Sequence, residues 1–235
     1  MPQKGLSTKV YIAIVLVAIL AVATGAIIYT TQFSKPATAN VAVGVHVGDT
    51  FTYKITGTAV LSSVDANPDS QSPNFSDLNN TDYYKVTITG INGTRVSMDV
   101  SVAFNNGTVI NESQWLDVGS GDKSTTTWQF WELYPADLNV NKMLRPTGFD
   151  GTYVNSTDTQ TYSTSTRQRN LFSIDNVFVD VRDPTGKTMR EEMTNLYFDK
   201  QTGMLVNLND VQYYNNPGME LIITFKLTSC SVWTV

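Results

Sequence analysis

A run of twenty apolar residues near the start of the chain, Val10 to Tyr29, constrains this sequence more than any other feature. The run contains no Asp, Glu, Lys or Arg. At about 1.5 Å per residue, a helix of this length spans roughly 30 Å, the thickness of the hydrocarbon core of a bilayer. A helix also satisfies its backbone hydrogen bonds internally, as a spanning segment must. We therefore predict a transmembrane helix over residues 10–29, followed by one domain over residues 46–235.

The lysines around this run predict its orientation. Lys4 and Lys9 precede it within residues 1–9, whereas only Lys35 follows closely, in a polar stretch over residues 30–45. Because positively charged flanks stay in the cytoplasm, residues 1–9 are predicted to form a cytoplasmic tail and residues 30–45 an external stem. The predicted location is a cell membrane, spanned once, with the bulk of the chain extracytoplasmic.

Two short sequences beside the apolar run leave open whether the N-terminal segment is processed. Lys4-Gly5-Leu6-Ser7 resembles the processing signal of archaeal type IV pilins and pilin-like secreted proteins. Ala37-Thr38-Ala39 is a small-x-small triplet of the kind that a signal peptidase cuts. The helix is therefore predicted either to be retained unprocessed as an anchor, or to be processed after Gly5, which leaves residues 10–29 in the mature chain, or after Ala39, which removes them. Processing after Gly5 favours the alternative function, a pilin-like or envelope-lattice structural subunit.

The remainder of the chain is predicted to be mostly β. It is rich in Thr and Asn, only 16% of all residues are charged, and the net charge is −5. Apolar residues alternate in several segments, for example at Phe51, Tyr53 and Ile55, which indicates strands with one buried face. The expected fold is a single antiparallel curved sheet (a half-barrel) or a β-sandwich. The acidic balance argues against nucleic acid as a partner, and the oligomeric state is left open.

The segment from Tyr84 to Phe104 is predicted to be a hairpin. A one-residue slip would turn every apolar side chain to the other face, so the pairing should match the apolar faces. A three-residue loop, Ile91-Asn92-Gly93, achieves this and places Gly93 in the left-handed region. The expected pairs are Ile88 with Val96, Val86 with Met98, and Tyr84 with Val100.

Few residue types suited to catalysis or metal binding are present. The chain has one cysteine, Cys230, and one histidine, His46. These counts argue against Cys/His zinc sites and against catalytic triads that need a histidine. No G-x-S-x-G, H-E-x-x-H or phosphate-binding loop motif occurs. We predict a non-catalytic domain without metal or cofactor, although pairs of acidic residues stay open as catalytic candidates.

Two kinds of candidate site remain. Aromatic residues are densest at Trp128, Phe130 and Trp131, which are the candidate ligand-binding residues; the alternative is a core strand that ends in a short helical turn. N-x-S/T sequons predict glycosylation on exposed loops of an exported domain. They lie at Asn74, Asn79, Asn92, Asn106, Asn111 and Asn155.

Three short motifs carry a resemblance to a known family. They are Gly48-Asp49-Thr50-Phe51-Thr52-Tyr53, Arg167-Gln168-Arg169-Asn170 and Tyr197-Phe198-Asp199-Lys200-Gln201-Thr202-Gly203-Met204-Leu205. They resemble single-pass extracytoplasmic proteins of archaea, which in turn look like the half-barrel domains of LolA and LppX lipoprotein and lipid carriers. The resemblance implies an open antiparallel sheet around an apolar cavity, with an aromatic–Asp–x–x–Thr–Gly turn between two late strands. It also implies binding of a lipid or another hydrophobic or cell-envelope component.

Overall fold

Nine β-strands make up most of the chain that this computed structural model describes, residues 41–61, 78–124, 131–148, 151–179, 189–215 and 218–235. Their bounds are β1 Thr50–Leu61, β2 Thr81–Asn92, β3 Arg95–Phe104, β4 Val109–Asp117, β5 Ser156–Thr161, β6 Thr166–Val179, β7 Met189–Asp199, β8 Leu205–Asn215 and β9 Gly218–Cys230.

The predicted cytoplasmic tail and transmembrane helix lie outside the described residues, as does most of the predicted stem. Within the described ranges, no helix has the length and apolar character needed to cross a membrane. The described end of the stem, residues 41–45, contacts the domain: Ala42 forms a β-bridge with Ala136, and Val45 is buried in the core.

The strands form one open antiparallel sheet in the order β4-β3-β2-β1-β9-β8-β7-β6-β5. Strands that follow one another in sequence are neighbours, except that β4 and β5 lie at the two edges and β1 pairs with β9 in the middle. Hairpin connections suit such antiparallel neighbours. The prediction of a mostly β, antiparallel domain is confirmed, and the described strands belong to one sheet rather than to the two sheets of a sandwich.

Alternation along the strands places the core on one face of the sheet, which we call the front face. On its central strands, apolar side chains at every second position are at most 7% exposed. They include Phe51, Tyr53, Ile55, Tyr84, Val86, Ile88, Val96, Met98, Val100, Val102, Phe225 and Leu227. We call the opposite side, which carries Thr52, Lys54 and Thr56, the back face.

The β2–β3 hairpin has the predicted faces but not the predicted register. Its turn is the two-residue pair Gly93-Thr94, closed by Asn92 opposite Arg95, and Gly93 has φ 61° as expected. The register shifts at Thr89, where an extra residue forms a β-bulge that returns the apolar side chains to one face. The predicted pairs are therefore wrong by two residues, because bulge and short turn together replace the three-residue loop. The observed pairs are Ile88 with Met98, Val86 with Val100, and Tyr84 with Val102.

The connection between β4 and β5 packs on the front face. Leu133, Tyr134 and Leu144 from this connection are buried in the same core cluster as the central strands. The Tyr134 ring stacks on Phe198 with 4.9 Å between ring centroids. The connection also lies very close to Gly203, between β7 and β8, which has φ +75°. A Cβ at Gly203 would lie 1.9 Å from the carbonyl oxygen of Tyr134. We call this connection, together with the part of the sheet that it packs against, the packed half.

Five strands continue past the level at which the other four begin or end. These strands are β1 and β6 to β9. Their continuation starts at one row of paired residues, which consists of Thr58, Ile222, Val211, Met193 and Asp175. At about 3.3 Å per residue, the continuation is roughly 15 Å long. We call it the projecting end; it comprises residues 58–61, 175–179, 189–193, 211–215 and 218–222.

Candidate functional site

Trp131, the one predicted ligand-binding residue that the structure describes, lies in the packed half close to two cations. Its indole Nε1 donates a hydrogen bond to the carbonyl oxygen of Gly121 (3.0 Å). The Lys123 Nζ lies 4.3 Å from its ring centroid, and the Arg145 Cζ lies 4.2 Å away. Ring and donor are thus already engaged by the protein itself. Trp128 and Phe130 lie outside the described residues, so the predicted aromatic trio stays a prediction.

Next to Trp131, the structure buries a carboxyl group that sequence reasoning missed. Glu132 is 2% exposed, and its Oε1 accepts hydrogen bonds from the Tyr84 hydroxyl (2.6 Å) and the Gln114 Nε2 (2.7 Å). Burial raises the pKa of Glu132, while the two hydrogen bonds and Lys123 oppose that shift. Burial lowers the pKa of Lys123. The signal in the sequence was a single acid inside the apolar run Trp131-Glu132-Leu133-Tyr134.

The motif around Asp199 closes a turn between β7 and β8. Its carboxylate is 1% exposed and accepts hydrogen bonds from both the backbone N–H and the hydroxyl of Thr202 (2.8 Å each). Arg167 of β6 donates to it through Nε (2.6 Å) and Nη2 (2.8 Å). The Arg167 guanidinium in turn lies 4.3 Å from the ring centroid of Trp233. The polar residues of two resemblance motifs therefore hold the β6, β7 and C-terminal segments together.

The projecting end exposes apolar side chains on the back face, where no sequence pattern had indicated a site. Their exposed fractions range from 36% to 62%. We call this set the apolar patch; it consists of Val60, Val177, Val179, Met189 and Tyr213. The cross-strand register joins most of it into one row, in which Val177, Glu191, Tyr213, Glu220 and Val60 lie side by side across five strands. Apolar contact area and acidic groups therefore alternate along this row.

The asparagines of the described sequons are all exposed, but their amide groups differ. Asn92 ends β2, Asn106 lies in the β3–β4 turn, Asn111 lies on the edge strand β4, and Asn155 precedes β5. The Asn79 amide, by contrast, forms two hydrogen bonds with the backbone of Gly57. Asn74 lies outside the described residues.

The described residues do not form a metal-binding cluster. Within the described ranges no three His, Cys, Asp or Glu side chains are grouped so as to hold a metal ion. His46 is exposed in a turn, and Cys230 is half-buried, its thiol donating to the carbonyl oxygen of Trp233 (3.2 Å). Comparison with protein-family models, curated proteins and solved structures finds no match for this chain.

Proposed function

We propose that this chain is a membrane-anchored, extracytoplasmic, non-catalytic domain that binds a hydrophobic or cell-envelope ligand through the apolar patch. The apolar run at residues 10–29 supports the anchor, and the open antiparallel sheet is compatible with the half-barrel resemblance. The observation that carries the proposal is the exposure of Val177, Val179, Met189 and their neighbours on one face of the projecting end. Val179 pairs with Met189, and Val177 lies two residues along the same strand. Adjoining exposed apolar side chains of this kind mark interaction sites.

The charges around the apolar patch narrow the class of ligand. Glu191 lies between Val177 and Tyr213 in the register, and Glu220 lies between Tyr213 and Val60. Anionic headgroups would meet these carboxylates in addition to the net charge of −5. We therefore propose a neutral or zwitterionic ligand with an apolar chain, for which burial of valine and methionine side chains supplies about 25 cal/mol per Å² of apolar area.

Native mass spectrometry of the chain, extracted from its host membrane and washed free of detergent micelles, tests this proposal. We expect an apolar molecule to be retained by the unaltered chain and by Val109→Ser, and lost from the double variant Val177→Ser/Val179→Ser. Val109 is a matched control because it is 49% exposed, close to the 51% of Val179, but lies on β4 outside the apolar patch. A chain that carries no apolar molecule, or a double variant that retains it, would contradict the proposal.

The pilin-like or envelope-lattice subunit is the second candidate, and Lys4-Gly5-Leu6-Ser7 ahead of the apolar run favours it. In that case residues 10–29 would pack in a filament, and the apolar patch would be a contact between subunits. N-terminal sequencing of the mature chain separates the two functions. A start at Leu6 supports the filament, whereas a start at Met1 supports the anchored binding domain.

A further inference from the structure

Asn79 occupies a gap in the middle of the sheet. The ladder between β1 and β2 includes only residues 50–53 and 84–87. Beyond it, the Asn79 side chain takes the place of a neighbouring strand: its Oδ1 accepts a hydrogen bond from the Gly57 N–H (2.9 Å), and its Nδ2 donates one to the Gly57 carbonyl oxygen (2.6 Å). A sequon asparagine therefore completes the hydrogen bonding of β1.

This pairing conflicts with glycan attachment at the same nitrogen. Both hydrogen bonds of the Asn79 amide are made to the same residue, Gly57. The Nδ2 hydrogen that is donated must therefore be the one on the same side of the amide C–N bond as Oδ1. In a trans secondary amide, the substituent on nitrogen takes that side, and the cis form costs about 2.5 kcal/mol. A sugar on Nδ2 would therefore stand where the Gly57 carbonyl oxygen now lies.

The hydroxyl residue of the same sequon is also withdrawn from solvent. Thr81, two residues after Asn79, is 0% exposed at the start of β2. A transferase that reads N-x-S/T must reach this hydroxyl as well as the amide. Two separate features of the fold, the amide pairing and the buried threonine, thus act against modification of Asn79.

The sequon at Asn106 has the opposite arrangement. It lies in the β3–β4 turn with Gly107 at φ 87°, and both Asn106 and Thr108 are exposed. The Oδ1 of Asn106 accepts from the Thr108 N–H (2.9 Å), a hydrogen bond that does not involve Nδ2 of this exposed side chain.

The other three described sequons fall between these extremes. Their asparagines are exposed, but each sequon hydroxyl donates a hydrogen bond to a neighbouring side chain. These bonds run from Thr94 to Asp117, from Ser113 to Asp99 and from Thr157 to Asn170.

We infer that the folded domain sorts its sequons for N-glycosylation: Asn106 is the preferred acceptor, Asn92, Asn111 and Asn155 are secondary acceptors, and Asn79 is withheld. The donor would be a sugar linked to a lipid phosphate. A bond forms between Nδ2 and the anomeric carbon, the bond from that carbon to the phosphate oxygen breaks, the lipid phosphate leaves with the electron pair, and Nδ2 loses one proton. In the cell, this modification rests on the proposed extracytoplasmic location.

A purified oligosaccharyltransferase with its lipid-linked oligosaccharide tests the sorting independently of location. The folded 235-residue chain is compared with short peptides that contain each sequon, and occupancy is read by peptide mass spectrometry. We expect the Asn79 and Asn106 peptides to be modified within a factor of about 2 of each other. In the folded chain, Asn79 should be modified at least tenfold less than Asn106. The tenfold difference corresponds to 1.4 kcal/mol, less than the cost of the cis amide.

Two outcomes would overturn the inference. One is an Asn79 that is modified in the folded chain as well as Asn106 is. The other is an Asn106 that is modified in its peptide but not in the folded chain. A chain that sorts as expected in this assay but carries no sugar when isolated from its host would instead count against the proposed extracytoplasmic location.

Discussion

The packed half and the projecting end belong to one sheet, yet valine is buried in the first and exposed on the second. In the packed half, Val100 of β3 is 2% exposed and belongs to the core cluster that also includes residues of the β4–β5 connection. On the projecting end, Val177 and Val179 of β6 are 62% and 51% exposed. Alternation determines which face of a strand a side chain takes, but only tertiary packing determines whether that face is covered.

If the proposed function holds, this difference separates the residues that stabilise the sheet from those that bind the ligand. The packed half contains the buried groups whose removal leaves a charge or a cavity, such as Asp199 and Glu132. The apolar patch is made of side chains that would add to stability only if a partner covered them. We therefore expect substitutions in the packed half to change the free energy of unfolding, and substitutions in the apolar patch to change ligand retention instead.

The largest expected effect comes from Asp199→Ala. The substitution removes the carboxylate that accepts hydrogen bonds from Arg167 and from Thr202. The free energy of unfolding should fall by about 3 kcal/mol, which is the lower end of the range for a broken buried ion pair. The lower end applies because the Arg167 side chain is 14% exposed. Urea unfolding of the 235-residue chain, followed by tryptophan fluorescence, measures it.

Asp158→Ala is the matched control for that variant. It breaks the corresponding pair with Arg169, but Asp158 is 45% exposed, so the loss should stay below about 1 kcal/mol. Equal losses for the two variants would mean that burial does not distinguish these pairs.

The second prediction concerns pH and Glu132. Its pKa is raised by burial, so the folded state holds the proton more tightly than the unfolded state does. The contribution of Glu132 to stability is then fully present below its ordinary pKa of 4.5 and is lost as pH rises through the raised value. Glu132→Gln removes this loss, and its stability relative to the unaltered chain should rise with pH by up to about 1.4 kcal/mol per pH unit.

Unfolding free energies of both proteins measured between pH 4 and 8 would reveal this rise. Tyr84→Phe serves as the control, because it removes one hydrogen bond to Glu132 and leaves the buried carboxyl in place. It should retain the pH dependence. A Glu132→Gln variant whose advantage does not change over this range would contradict the assignment.

How far the sequence predicts this arrangement depends on how local each feature is. The alternation in Phe51, Tyr53 and Ile55 predicts a strand and its buried face, because both follow from residues two apart. The bulge at Thr89 was missed, since two registers that differ by two residues present the same faces. The motif with Asp199 predicts a turn, but it does not predict the ion pair, because Arg167 is 32 residues away in sequence.

The candidate site was harder to predict for the same reason. From the sequence alone, Trp131 resembles a ligand-binding aromatic residue. In the structure Lys123 and Arg145 lie over its ring, and predicting these contacts would require the backbone path of the whole β4–β5 connection. The apolar patch joins residues of β1, β6, β7 and β8 that the cross-strand register brings together. Register between strands that are distant in sequence is not determined by the composition of either strand.

The third prediction asks whether Trp131 belongs to the packed half. Trp131→Phe keeps an aromatic ring for the two cations but loses the hydrogen bond to Gly121, so stability should fall by about 1 kcal/mol. Retention of the apolar molecule in native mass spectrometry should be unchanged, because the residue lies outside the apolar patch. Loss of that molecule at unchanged stability would return Trp131 to the ligand site and weaken the distinction between the two regions.

The smallest expected effect tests the comparison at matched valines. Val179→Thr keeps a β-branched side chain on the exposed row and should change the free energy of unfolding by no more than about 0.5 kcal/mol. Val100→Thr places the same hydroxyl in the core, where an unpaired polar group costs about 1–3 kcal/mol. Urea midpoints of the two variants, measured after delipidation, give both values. If Val179→Thr is as costly as Val100→Thr, then the projecting end is covered in solution, and its valines act as core residues rather than as a binding surface.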